Sequence, residues 1–155
     1  MKSVMTHQFS QIPQANIERS SFDRSHGYKT TFDAGYLVPF YVDEVLPGDT
    51  FNVNATTFAR LATPACPIMD NMYLDTFYFY CPSRLLWNHW VNMNGEQTNP
   101  GDSTDYLVPT LSGNFTEGSL ADYLGIPIST DVTVNALPFR MYAKVWDDWF
   151  RDENL

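Results

Sequence analysis

Residues Gly35 to Phe58, GYLVPFYVDEVLPGDTFNVNATTF, constrain the fold more tightly than any other stretch of the chain. From Tyr36 to Val45 the sequence is almost continuously apolar and rich in β-branched and aromatic residues. That suits a strand covered on both faces, or an edge strand in which Pro39 has no ladder bond to donate. From Phe51 onward the pattern alternates, with Phe51, Val53 and Ala55 set against Asn52, Asn54 and Thr56, the period-two mark of a half-buried strand. Between the two halves, Pro47 presets φ for the first central position of a turn, and Gly48 accepts the positive φ that a type II turn needs next. On local grounds Pro47, Gly48 and Asp49 therefore join the two strands as a hairpin turn, which would add backbone bonds between Val45 and Phe51 beyond it.

A third β-prone run, MYLDTFYFYC from Met72 to Cys81, carries four consecutive rings at Phe77, Tyr78, Phe79 and Tyr80, and Pro82 stops it. The chain thus reads as mainly β with inserted helices, with strands at about 35–46, 50–58 and 72–81. Residues 1–31 are an extended arm, a long insertion covers 83–137, and a helix covers 138–151. Within the insertion, Arg84 to Met93 has helical spacing behind Ser83 as its cap. Residues 94–118 form a Gly/Pro/Asn/Ser/Thr tract of the kind that carries function or faces a partner. Ser119-Leu120-Ala121-Asp122 resembles a capping box opening a short helix that ends at Gly125. Asp131 to Asn135 is a short strand. In the last helix Pro138 suits the first turn, and Phe139, Tyr142, Ala143, Trp146, Trp149 and Phe150 make an apolar stripe that must be buried. Lys144 with Asp148, and Asp147 with Arg151, stand at the i, i+4 spacing of ion pairs.

Charge separates the arm from the body. The formal net charge is −9. Residues 1–30 nevertheless hold four bases (Lys2, Arg19, Arg24, Lys29) against two acids, and the remainder holds five bases against sixteen acids. An acidic body does not suit docking on duplex DNA, whereas the mildly basic arm can meet nucleic acid or a neighbouring subunit. Charged residues are only 17% and aromatics 15%, the profile of a protein that hides much of its surface in a core or against neighbours. No apolar run is long enough to span a bilayer, and the first residues lack the apolar core of a signal peptide.

Nothing points to catalysis. His7, His26 and His89 are scattered, Asp147 and Asp148 diverge on a helix, and no phosphate-cradling or nucleophile motif stands in its proper setting. Cys66 and Cys81 lack metal-ligand spacing and read as reduced thiols in a reducing compartment. The residues therefore indicate no enzyme, no cofactor and no metal. The Phe77–Tyr80 run can also be read as a stacking platform for single-stranded bases. A carbohydrate-active β-sandwich is a weaker alternative, with no pair of carboxylates to support it.

Four long strings make the reading specific: FDRSHGYKTTFDAGYLVPFYVDEVLPGDTF, FARLATPACPIMDNMYLDTFYF, GEQTNPGDSTDYLVP and ALPFRMYAKVWDDWFRDENL. With them the sequence resembles, nearly end to end, the major capsid protein of microviruses, and among these the gokushoviruses, small tailless single-stranded DNA phages. The resemblance implies that the chain is the N-terminal portion of a longer protein. Residues 32–155 would then be the first part of one eight-stranded antiparallel jelly-roll domain. It also implies a structural subunit that self-assembles into a T=1 icosahedral shell. The shell would enclose single-stranded DNA with minor virion proteins and would be assembled in the cytoplasm of a bacterial host whose receptor the sequence does not identify.

On that view Lys2, Arg19, Arg24 and Lys29 are candidate inner-face contacts to packaged DNA. Phe77, Tyr78, Phe79, Tyr80, Trp146 and Trp149 are candidate interface or core aromatics, and the Pro47-Gly48-Asp49 turn is a corner crossing from one sheet to the other. The isolated stretch, its strands lacking partners, is expected to be marginal or prone to aggregate.

Overall fold

The computed structural model of the chain describes residues 18–154. In chain order these hold helix α1 (Ser83–Leu86), helix α2 (Trp90–Met93), strand β1 (Thr110–Asn114), helix α3 (Leu120–Tyr123), strand β2 (Asp131–Asn135) and helix α4 (Leu137–Val145). A wider π-helical turn, Trp146–Phe150, continues α4.

The only sheet among the described residues pairs β1 with β2 antiparallel, from Thr110 opposite Asn135 to Asn114 opposite Asp131. Ser112 and Thr133, facing each other in this register, join their hydroxyls at 2.7 Å, a cross-strand pair of the kind that fixes register. Bonds beyond the ladder prolong it at both ends, Ser129 N–H to Phe115 C=O at 3.1 Å and Ala136 N–H to Pro109 C=O at 2.9 Å.

Between the strands, α3 has well-defined ends. The Ser119 hydroxyl accepts from the Asp122 N–H at 3.4 Å, and the Asp122 carboxylate accepts from the Gly118 N–H at 2.9 Å. At the other end Gly125, at φ +81°, donates to Asp122 C=O at 2.9 Å while Ile126 donates to Ala121 C=O at 3.0 Å. These two bonds are a Schellman motif, which satisfies carbonyls that a helix end otherwise leaves without partners. Replacing Ser119 with alanine is expected to destabilise this insertion by about 1 kcal/mol, measured as faster amide exchange at Asp122 and Tyr123.

The buried core is small. Among the described residues Ala121, Ala136 and Leu137 are the buried apolar residues, at 2%, 4% and 9% exposure. Phe115 and Phe139 stack beside them at 6.2 Å between centroids. Arg140 reaches across to donate to the last carbonyl of α1, Leu86 C=O, at 3.1 Å.

Elsewhere the chain is open. A 17.8 kDa chain exposes 14,371 Å². A compact monomer of that mass would expose about 8,000 Å² and its unfolded chain about 26,000 Å². Even if residues 1–17 and 155 contributed the surface of an unfolded chain, about 3,000 Å², most of the excess would remain.

Several expectations from sequence meet this architecture directly. The capping box at Ser119, the strand at Asp131–Asn135, Pro138 in the first turn of α4 and both ion pairs are present, Lys144–Asp148 at 2.9 Å and Arg151–Asp147 at 2.8 Å.

Others are not met among the described residues. The segments 35–46, 50–58 and 72–81 hold no ladder among the described residues. A strand needs a partner's backbone, and no described segment shares ladder bonds with these. The expected helix 84–93 is two single turns, because Trp87 takes an extended conformation (φ −153°, ψ 121°) between them, and Ser83 is the first helical residue rather than a hydrogen-bonding cap. The final helix turns π-helical at Trp146, and Arg151 N–H bonds back to Trp146 C=O at 2.9 Å. Its aromatic stripe is not buried: Trp149 is 72% exposed.

Candidate functional site

Two features outside the small core gather side chains that local structure alone does not require: an aromatic face and a clasp formed by the basic arm.

The aromatic face joins the 72–81 segment to the end of α4. Phe79 is its hub, with ring centroids 6.4 Å from Phe77, 5.9 Å from Trp149 and 6.0 Å from Phe150, while Phe77 meets Phe150 edge-on at 5.5 Å. On the alternate side of the same run, Tyr78 meets Phe40 edge-on at 6.0 Å. The 35–46 and 72–81 segments therefore touch through side chains without sharing a ladder. Phe79 is the half-buried member of residues 71–80, whereas Phe77, Tyr78, Tyr80, Trp146 and Trp149 are exposed. Large aromatics bury about 150–250 Å² each, so several exposed together exceed the apolar patch of a typical monomer, about 300–600 Å². The Lys144–Asp148 and Asp147–Arg151 pairs flank this face and keep charge at its edge. An apolar centre with a charged rim is the anatomy of a protein interface.

The clasp centres on Asp43, whose side chain is 9% exposed. One carboxylate oxygen takes an ion pair from Arg24 at 3.1 Å and a bond from the Glu44 N–H at 2.9 Å, and the other accepts from the Tyr41 hydroxyl at 2.9 Å. That acceptance, with the nearby negative charge, holds the Tyr41 phenol above its usual pKa near 10. His26 stacks on Tyr41 at 5.6 Å. Further along the arm, Tyr28 donates to Tyr123 C=O at 2.9 Å and Tyr123 donates back to Thr31 C=O at 3.2 Å. A half-open cleft of about 150 Å³ lies between the arm, residues 40–42 and the end of α3. Separately, Tyr142 of α4 pins the 36–58 segment by donating to Leu37 C=O at 2.8 Å, and burial raises its pKa.

The turn singled out from sequence is a turn. Asp49 N–H donates to Leu46 C=O at 3.1 Å, the Asp49 carboxylate accepts from Leu46 N–H at 3.1 Å, and Gly48 sits at φ +83°. No backbone bond joins Val45 to Phe51 beyond it, so this is not a hairpin.

Of the four basic arm residues, Lys2 lies outside the described residues. Arg24 is committed to Asp43, and Arg19 lies 3.7 Å from Asp49. Lys29 is exposed. Sequence reasoning missed Asp43, Tyr41, Tyr28, Tyr123 and Tyr142. Apart from the Tyr41–Asp43 bond, two residues apart, each acts on a residue distant in sequence, and a lone Asp or Tyr in an apolar run gives no sign of its partner. Among the described residues no group of three His, Cys, Asp or Glu side chains is placed to hold a metal ion, and no helix is long and apolar enough to cross a membrane.

Residues 10–155 match the family model described as capsid protein (F protein). The chain is 50% identical over 153 residues to capsid protein VP1 of Bdellovibrio phage phiMH2K, covering 96% of this chain and 29% of that protein. It is 47% identical to capsid protein VP1 of Chlamydia phage 1, covering 100% of this chain and 28% of the relative. Against capsid protein VP1 of Spiroplasma virus 4 it is 35% identical, covering 99% and 29%. The chain thus spans less than a third of the length of these relatives.

Proposed function

The chain belongs to the capsid protein (F protein) family, and on that premise we propose that it forms part of a jelly-roll subunit of a virion shell. Its role is structural, performed by self-assembly into a T=1 icosahedral particle around single-stranded DNA, and not by catalysis. The observation that carries this reading is the excess of surface: a chain exposing 14,371 Å² with three buried apolar residues has most of its apolar side chains still to cover. The β-prone segments 35–46, 50–58 and 72–81 would acquire their ladders from the rest of a subunit of the relatives' length, as strands of an eight-stranded sandwich. In that sandwich the Pro47-Gly48-Asp49 turn is the corner between sheets, in keeping with the lack of hairpin bonds beyond it.

The experiment compares two proteins by amide exchange, the 155-residue chain and the product of the complete reading frame assembled into particles. Amides of residues 36–45, 51–58 and 72–81 should exchange freely in the first and be protected by about 10³-fold or more in the second. Equal exchange in both would remove the jelly-roll reading.

In the same proposal the basic arm lies on the inner face of a virion assembled in the cytoplasm of a bacterial host, beside packaged DNA and minor virion proteins. Arg19 and Arg24 are held by Asp49 and Asp43, so among the described arm residues Lys29 is the exposed base left to meet phosphate. Crosslinking of intact particles checks this placement. An arm that never links to DNA and is cut by added protease is not inside.

A further inference from the structure

We propose that residues 19–31 are a two-part strap, with an ionic half that salt releases and a tyrosyl half that salt leaves in place. This goes beyond the capsid reading and does not rest on it.

The two halves differ in chemistry. In the first, Arg19 approaches Asp49 at 3.7 Å and Arg24 pairs with Asp43 at 3.1 Å. The Arg19 guanidinium also lies across Gly48, within 2.8 Å of where a side chain would begin there, so the strap uses the space that a glycine leaves at the corner. In the second, the Tyr28 hydroxyl donates to Tyr123 C=O and the Tyr123 hydroxyl donates to Thr31 C=O, two bonds that tie the arm to α3 and carry no net charge. A local turn separates the halves: the Asp23 carboxylate accepts from the Ser25 N–H at 2.9 Å, and the His26 ring bonds Arg24 C=O at 2.9 Å.

The arginine side chains are 62% and 66% exposed, against 36% for Asp49 and 9% for Asp43, so the Arg19–Asp49 pair is open to screening and the Arg24–Asp43 pair is screened less. The Debye length falls from about 30 Å at 0.01 M to about 3 Å at 1 M salt, which removes most of the attraction in exposed ion pairs and little of a neutral hydrogen bond. Salt should therefore peel the strap from its N-terminal side as far as the 23–26 turn, leaving Tyr28 docked. The ionic half holds the corner and Asp43, and the tyrosyl half holds α3, so partial release uncouples the corner from the insertion without freeing the whole arm.

The test is tryptic cleavage of the protein expressed from its complete reading frame, followed site by site, with Arg60, outside the strap, as the internal reference. Raising salt from 0.01 M to 1 M should speed cleavage after Arg19 by about 5-fold relative to Arg60, in line with the upper range for exposed pairs, speed cleavage after Arg24 by a smaller factor, and leave Lys29 unchanged. Asp43→Asn should give at least that increase at Arg24 already at low salt. Tyr28→Phe combined with Tyr123→Phe, which removes both hydroxyls, should free Lys29 at either salt. Arg24→Asp should leave cleavage at Lys29 slow, since the tyrosyl half holds that site. Equal acceleration at Arg60 and in the strap, or simultaneous release of Arg24 and Lys29 by salt, would overturn the two-part strap.

Discussion

Trp149→Glu is expected to abolish particle formation while changing the melting of the 155-residue chain by less than about 0.5 kcal/mol. The two effects part company because Trp149 is 72% exposed in this chain yet touches Phe79 in the aromatic face. A substitution at an exposed position away from a cap or buried network is nearly neutral for the fold that carries it. At the centre of an apolar interface, truncating a tryptophan removes about 2–4 kcal/mol, and a carboxylate left there without a partner adds a desolvation penalty of several more.

Phe79→Ala is the contrasting variant. Phe79 is half-buried and contacts three rings, so its loss should lower stability and assembly together, by about 2–3 kcal/mol before any neighbour is involved. Electron microscopy of the complete protein and size-exclusion of its unassembled form read the outcome. A soluble, unassembled Trp149→Glu subunit places the face between subunits. Normal particles from Trp149→Glu would show that the face is not part of the shell's contacts.

What the sequence made legible is what lies within one turn of chain. The Ser119 cap, the Gly125 stop, Pro138 opening α4 and the two i, i+4 ion pairs each need only residues a few positions apart, and each is found as expected. Thr110–Asn114 was hidden in a polar tract because strand character there comes from its partner. Val132 and Val134 alternate and advertise β2, while β1 contributes one large apolar residue, Leu111, and follows β2's register. The break at Trp87 also escapes the helical spacing of its neighbours, since an aromatic with low helix propensity is displaced at little cost.

The β-prone runs show the reverse. Propensity belongs to a segment and a ladder belongs to a pair, so Phe77–Tyr80 can be the most strand-like run in the chain and still have no strand beside it. The candidate sites divide in the same way. The Pro47-Gly48 turn was readable from its own residues, whereas the commitment of Arg24 to Asp43 could not be, because nothing local links them. That pairing changes the meaning of the arm's positive charge, which serves first to hold the arm in place.

The second large effect is expected at Ala136, where the small core has no room to give. Ala136 is 4% exposed, donates its N–H to Pro109 C=O at 2.9 Å and accepts from Arg140 N–H at 3.1 Å, so one residue joins the end of the β1–β2 ladder to the start of α4. Leucine there must push against a backbone held on both sides, and overpacking of this kind destabilises by about 1–3 kcal/mol. If the β-pair and α4 open as one unit, the protection of the Leu111 and Thr133 amides should fall by about 5- to 150-fold, the factor that corresponds to that energy. Ala143→Leu, the same chemical change at an exposed position of α4, should move those amides by less than about 2-fold. The difference between the two variants isolates packing from helix propensity, which favours alanine only slightly over leucine in either place. Equal protection in both would mean that the ladder and the helix are not coupled through Ala136, and that the insertion folds independently of α4.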